Sequence, residues 1–459
     1  MQIGSLGSRR NRLRRAGVGL CAALALALAG CGGSGNTGAL GQGGSTGVRL
    51  VIPANESPWL GAYKALVEQY QQETGVQVEL RTFPYDEMRT QILNDIQSGN
   101  KTYDVYQIDE PNLYEFFAHE WLQPLTDVDP GFRQDPAVNN YADFAYWNPT
   151  TKTSDPAGQL LVQPLNGNVG LLMYRTDLYQ QLGLAVPASW EDAIANGQRA
   201  QASGAARYGH VMRTQATQSG GAQITYDFLP LLYAYGGTWF RNEGTDWTPA
   251  VNSPQAVQAA TVMRQLVEVG PSETSTIGQA QVIGAMQAGE ALEVHVVAAA
   301  APSMLSESDS NVGDRVGFAV LPAGSTGKPG VASGTWALGI PAGLPPERAT
   351  AALAFIAWVE SKPAQTRFTE LGGIPTRADA LDGANISDQQ RAYLEAVNQS
   401  LPHVGKHVRY EFSAEMLPIT ERHLAEIAAG KVSPQDGMAA MQQELTEIVR
   451  KYGYPMAAG

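Results

Sequence analysis

The residues best suited to chemistry in this chain lie in short polar breaks between apolar runs. Trp336 stands in Ser333-Gly334-Thr335-Trp336. An aromatic face beside small residues can pack on the C–H face of a bound molecule while the backbone comes close. The same Trp also fits a core position behind a sheet. Asn166-Gly167-Asn168 interrupts two apolar runs, Leu160 to Leu165 and Val169 to Tyr174. Asn and Gly tolerate unusual backbone angles, so the break reads as a hinge or as a plain turn, and Asn168 offers an amide donor and acceptor there. Arg377 can supply a fork of hydrogen bonds to hydroxyls, bridge two parts of the fold, or lie solvated on the surface.

Metal and enzyme chemistry find less support. His403 and His407 are four apart, but Val404 follows His403 where a metalloprotease helix has Glu, and Gly405 weakens a helix. His295 sits in an apolar run and reads as a buried histidine. No phosphate-cradling Gly-Lys loop and no nucleophile elbow occurs. A carboxylate pair for glycoside hydrolysis can be drawn from the 44 acids, yet spacing alone cannot set two of them across one bond. No catalytic residue, metal site or cofactor is therefore assigned.

These candidates need elements to hold them. Val48 to Ile52 reads as a buried strand, and Tyr63, Leu66, Val67 and Tyr70 follow at helical spacing up to Gly75. Val76, Val78 and Leu80 alternate as a strand. Met88, Ile92 and Ile96 mark a helix ended by Gly99, and Tyr103 to Ile108 a third strand. The βαβα order predicts an α/β fold with a parallel sheet, in which ligands sit beyond the carboxyl ends of the strands. That rule nominates Asn55, Glu56 and Trp59, then Asp109, Glu110 and Asn112. Asp109 and Glu110 fit equally as caps of a helix starting near Pro111. Further on, Tyr226 to Tyr235 forms an apolar helix stopped by Gly236-Gly237, with Trp239 just beyond, and Ala351 to Ser361 reads as a core helix.

At 459 residues the chain is too long for one ordinary domain. Its start reads as an export signal: five arginines from Arg9 to Arg15, then an apolar stretch, Ala16 to Ala29, too short to span a bilayer comfortably. Leu28-Ala29-Gly30-Cys31 resembles a bacterial lipobox, whose Cys becomes the lipidated first residue. Residues 1–30 are then signal, and residues 31–47 a flexible Gly/Ser-rich tether. Two acyl chains on Cys31 suffice for stable membrane retention. Cys21 falls in the removed segment, so Cys31 has no disulfide partner. The formal charge of −13 becomes −18 once the five signal arginines are gone, which argues against nucleic acid.

Leu172-Met173-Tyr174-Arg175-Thr176-Asp177-Leu178, then Gly183-Leu184 and Pro187-Ala188-Ser189-Trp190-Glu191-Asp192, resembles a signature of family 1 extracellular solute-binding proteins, the sugar-type receptors of ABC importers. Gly75 to Val78, Tyr103 to Val105, Trp121 to Asp127, Met286 to Ala291, Val316 to Pro322, Ser333 to Ile340 and Leu371 to Arg377 are similar to further elements of that family, in order. The resemblance implies a two-lobed periplasmic-binding-protein-like fold with three hinge crossings and a ligand cleft between the lobes. Lobe 1 would comprise residues 48–166 and 321–374, and lobe 2 residues 167–320 and 375–459. It implies a monomeric, lipid-anchored, extracytoplasmic receptor that closes on a sugar, oligosaccharide or polyol and hands it to a permease. The alternatives are a receptor for a charged solute, such as a phosphorylated polyol or polyamine, or a secreted carbohydrate-active hydrolase. The ligand contacts expected are Asn55, Trp59, Asp109, Glu110, Asn168, Tyr226, Trp239, Trp336 and Arg377.

Overall fold

Leu50, Ile52 and Ala54 are fully buried along the first strand, Arg49–Asn55, which pairs in parallel with Gln77–Phe83. The helix between them, Leu60–Thr74, turns Tyr63, Leu66, Val67 and Tyr70 inward and ends at Gly75 in the left-handed region (φ 74°). Helix Tyr85–Ser98 follows and stops the same way at Gly99 (φ 67°). A computed structural model describes residues 47–139, 141–217, 221–306 and 308–457 of the chain. Cys31, the signal and the tether up to residue 46 lie outside them. Among the described residues no helix is long and apolar enough to cross a membrane.

Two further sheets organise the molecule. One runs Tyr106–Asp109, Trp336–Gly339, Val162–Asn166, with the central strand antiparallel to both neighbours. The third strand thus begins at Tyr106, because Asp104 is turned aside: its backbone N–H donates to Val51 O (2.8 Å) and its carboxylate accepts from Val51 N–H (2.7 Å). The other sheet runs Val316–Ala319, Gly170–Arg175, Ala291–Val297, Tyr208–Val211. Its interior strands are buried on both faces, as in Ala291–Val297, where every residue is buried, Glu293 and His295 included.

Because Val162–Asn166 and Gly170–Arg175 belong to different sheets, residues 167–169 carry the chain from one to the other. Two later passages lie against this one. Gly167 N–H donates to Ile374 O (3.0 Å), Gly334 N–H to Asn168 O (2.8 Å), and Val169 bridges Ser333. A Cβ on Gly167 would stand 2.5 Å from Pro375 O, so glycine lets these strands touch. After Val316–Ala319 the chain does not leave at once: Gly324 packs on Ala234 and Gly330 on Pro230, both on helix Ile224–Ala234. It reaches the sheet of Tyr106–Asp109 and Val162–Asn166 at Trp336, after Val331–Ala332 has paired with Val404–Gly405.

Candidate functional site

Register places the first cleft residues. Trp336 pairs with Asp109 on one side and Asn166 on the other, at the end of its strand. The neighbouring strand Arg49–Asn55 ends at Asn55, and Trp59 follows at the start of the next helix. Asn55, Trp59, Asp109 and Trp336 line a cavity of about 230 Å³ together with Tyr85, Asn168, Arg213, Gln223, Tyr226 and His407. Its wall thus draws on residues flanking both sheets. The volume lies below the roughly 300–1,000 Å³ of drug-sized sites and suits a small solute.

Trp59 and Trp336 meet edge-on with centroids 6.1 Å apart, and Tyr85 meets Trp336 likewise at 6.0 Å. Across the cavity, Tyr226 lies under the Arg213 guanidinium (4.4 Å to the ring centroid) and donates its hydroxyl to Ala332 O (3.1 Å). Arg213 is pinned by Asp227, whose carboxylate accepts from its Nε (2.9 Å) and its backbone N–H (2.7 Å). Gly334 is held so near Tyr226 that a Cβ would meet its hydroxyl oxygen at 3.1 Å.

Asp109 stands at the cavity and at a helix start. It lines the cavity and caps the turn Glu110–Asn112, Oδ1 accepting from Glu110 N–H (3.0 Å) and Oδ2 from the Tyr85 hydroxyl (2.6 Å). Burial pushes its carboxyl up to about 7, the adjacent Glu110 adds to this, and the Tyr85 hydrogen bond opposes it. Burial also drives His407, which stacks obliquely on Tyr226, down to about 3, so it is neutral. Three residues that line the cavity each carry a buried polar oxygen with no partner within the protein: Asn55 Oδ1, Ser57 Oγ and Gln223 Oε1.

Of the expected contacts, Asn55, Trp59, Asp109, Asn168, Tyr226 and Trp336 come together here. Three stand elsewhere. Glu110 follows Asp109 and points away from the cavity, fully buried, accepting from Arg409 Nη1 (2.7 Å) and the Ser333 hydroxyl (2.9 Å). Trp239 follows the helix Ile224–Ala234 and packs on Phe228 in the core, away from the cavity lining. Arg377 is consumed by Asp379, Asp135 and Glu360 O. Nothing in a sequence distinguishes such an arginine from one that awaits a ligand.

Tyr85, Ser57 and Arg213 were missed although the strand-end rule reaches them: each closely follows a strand, ending at Phe83, Asn55 and Val211. Gln223 and His407 sit outside regular elements and carry no such signal. His403 and His407 are separated by strand Val404–Gly405, so they share no helix face. Among the described residues no group of three metal-ligating side chains occurs. His295 is fully buried on its strand and burial pushes it down to about 4.

Residues 54–366 match the family described as bacterial extracellular solute-binding protein. The chain belongs to that family. Its similar relatives include the mannitol-binding protein of Pseudomonas aeruginosa, 24% identical over 80% of this chain and 85% of that one. The erythritol/L-threitol-binding protein of Mycolicibacterium smegmatis is 24% identical over 84% and 85%. Among solved structures, an ABC transporter solute-binding protein from Agrobacterium radiobacter in complex with ribitol superposes with a TM-score of 0.73 at 23% identity, covering 88% of this chain and 99% of that one. Maltose-bound MalE3 of T. maritima gives 0.72 at 22%, covering 87% and 99%. This solute-binding protein therefore has the two-lobed fold with a cleft between the lobes, and its coarse role is solute capture outside the cytoplasm for an ABC importer.

Proposed function

We propose that the protein captures an uncharged, polyhydroxylated solute, a sugar or polyol, by closing its lobes, and releases it unchanged to a permease. One observation carries this reading: Asn55 Oδ1, Ser57 Oγ and Gln223 Oε1 stand unpaired beside the rings of Trp59, Trp336 and Tyr226. Unpaired acceptors need donors, and aromatic faces need C–H surface. A polyol presents both on every carbon. The printed ligands of the relatives, mannitol and erythritol or L-threitol, are of this class.

Charge supports the same choice. Arg213 is the one Lys or Arg among the described residues lining the cavity, and Asp227 already neutralises it. A phosphorylated solute would have to share that cation while facing Asp109. An amine-bearing solute would compete with Tyr85 and Glu110 N–H for Asp109, whose oxygens both accept already.

We take lobe 1 as residues 48–166 and 333–374, moving its second boundary from 321 because residues 321–330 pack on helix Ile224–Ala234. Contacts from both lobes favour the closed state in proportion to their difference in affinity between the two. Lipidation of Cys31 and the tether would keep this monomeric receptor at the membrane. Calorimetry of the mature protein against sugars, polyols, a phosphorylated polyol and a polyamine tests the reading, with chromatography of the recovered ligand. Binding of an uncharged polyhydroxylated solute, recovered intact, is expected. Preference for a charged solute, or turnover, would refute it. Labelling by radioactive palmitate, lost in Cys31→Ser, tests the anchor.

A further inference from the structure

Beside the cleft lies a second, half-open cavity of about 20 Å³, walled by the first lobe and by Gly221. Met88, Ile92, Ile108 and Phe116 give it apolar walls, and Tyr85, Asp109 and Trp336 line both this chamber and the cleft. The shared wall is thus the Tyr85–Asp109 hydrogen bond and the edge-on pair of Tyr85 with Trp336.

Three buried polar atoms on residues lining the chamber find no partner in the protein. Gln107 Nε2 and Arg89 Nε are donors, and Asn112 Oδ1 is an acceptor. Gln107 is fully buried and Asn112 is 8% exposed. Each such atom left unpaired costs about 1–3 kcal/mol. The space admits one water-sized group, for which about 10–15 Å³ is the minimum, and excludes a sugar ring. A hydroxyl has one proton to donate and two lone pairs to accept with, matching one acceptor and two donors. A carboxylate or phosphate oxygen would leave Asn112 Oδ1 unanswered, and an ammonium would face two donors. A second proton on a water would have no acceptor among these three atoms.

We propose that this chamber is a terminal subsite that receives the end hydroxyl of an open-chain polyol, displacing the Tyr85 side of the shared wall. The inference rests on the polyhydroxylated-solute reading and narrows it, since a terminal CH₂OH is slim enough to enter and a hydroxyl borne directly on a pyranose ring is not. Asn112 Oδ1 accepts the hydroxyl proton, while Gln107 Nε2 and Arg89 Nε donate to its oxygen.

The test is calorimetry of wild type, Asn112→Leu and Met88→Phe with erythritol, ribitol, mannitol and xylose, whose pyranose ring carries no CH₂OH, together with thermal unfolding of the empty proteins. Leu replaces Asn at similar volume and removes an idle acceptor, so Tm should hold or rise. Affinity for the polyol that wild type binds best should fall roughly three- to tenfold, the worth of one neutral hydrogen bond. Xylose binding should change less than about twofold or stay undetectable. Met88→Phe, which fills the chamber from its apolar side, should give the same split. Equal losses for xylose and polyols, no loss in either variant, or a lower Tm for Asn112→Leu would overturn the proposal. So would a wild type that binds xylose and no polyol, which leaves the cleft reading intact. A wild type that binds none of these solutes overturns the chamber proposal too, and the cleft reading falls with it only if the wider panel of sugars and polyols also fails to bind.

Discussion

Two neighbouring regions of this protein treat buried polar groups in opposite ways. On the cleft wall, Asn55, Ser57 and Gln223 keep acceptors without partners. One residue along the chain from Asp109, Glu110 meets Arg409 with both side chains fully buried, and Ser333 and Thr335 add hydrogen bonds. The strap at the third passage is similar: Thr376 N–H donates to Gln365 Oε1 (2.8 Å), its hydroxyl to Glu360, and Arg377 holds two aspartates and a carbonyl. The paired regions fix where the passages lie. The unpaired one waits for something to complete it, so substitutions should split by region: stability in the paired groups, affinity in the unpaired ones.

The largest effect should come from Arg409→Met. It strands the Glu110 carboxylate in the interior, and breaking a buried pair from one side costs about 3–5 kcal/mol. Urea denaturation should show this as a lower midpoint, and Glu110→Gln with Arg409→Met should recover much of it. A loss below about 1 kcal/mol, as for a surface pair, would erase the contrast between the regions.

Glu360 tests the strap through pH. Burial pushes its carboxyl up to about 8, against the Thr376 hydrogen bond and Arg377. The folded state then holds a proton that the unfolded state gives up near 4.5, so this group's contribution to stability falls as pH rises from there to about 8. Asp109 acts in the same direction up to about 7. His295 and His407, pushed down to about 4 and about 3 by burial, act oppositely and finish near their ordinary 6.5. The net fall should therefore appear between 6.5 and 8. Glu360→Gln should flatten it in a series of Tm values against pH, and an unchanged slope would show that Glu360 is ionised in the fold.

On the cleft side, Trp336→Ala should weaken solute binding by about 2 kcal/mol, roughly thirtyfold, the scale of a buried aromatic anchor. Calorimetry reads this directly. Some stability is lost too, because Trp336 also packs on Trp59 and Tyr85. Stability loss with unchanged affinity would make Trp336 a core residue and move the aromatic contact elsewhere.

Sequence reasoning reached the cleft wherever position along an element decides the matter. Asn55 and Asp109 close their strands, and the apolar runs on either side of Asn166 do enter different sheets. It failed where the deciding fact is a distant partner. Arg377 and Arg213 are both buried and both paired to aspartate, yet one ties down a strap and the other lines the cavity. Glu110 and Asp109 differ by one step of chain and by which way the side chain turns. Gln223 and His407 reach the cavity from irregular segments, and no periodicity marks them.

The smallest expected effect draws the sharpest line between the two regions. Ser57 follows the first strand, and its backbone carbonyl accepts from Leu60 N–H (3.0 Å), so the turn does not depend on the side chain. Its hydroxyl oxygen is buried on the cleft wall without a partner. Ser57→Ala deletes that oxygen and nothing else, so the empty protein should unfold at the same temperature or slightly higher. The bound solute loses one hydrogen bond, about 0.5–1.5 kcal/mol, and Kd should rise by roughly three- to tenfold. A lower Tm with unchanged Kd would mean that the oxygen serves the fold, as Ser333 serves Glu110, and that the cleft wall follows the same rule as the buried pairs beside it.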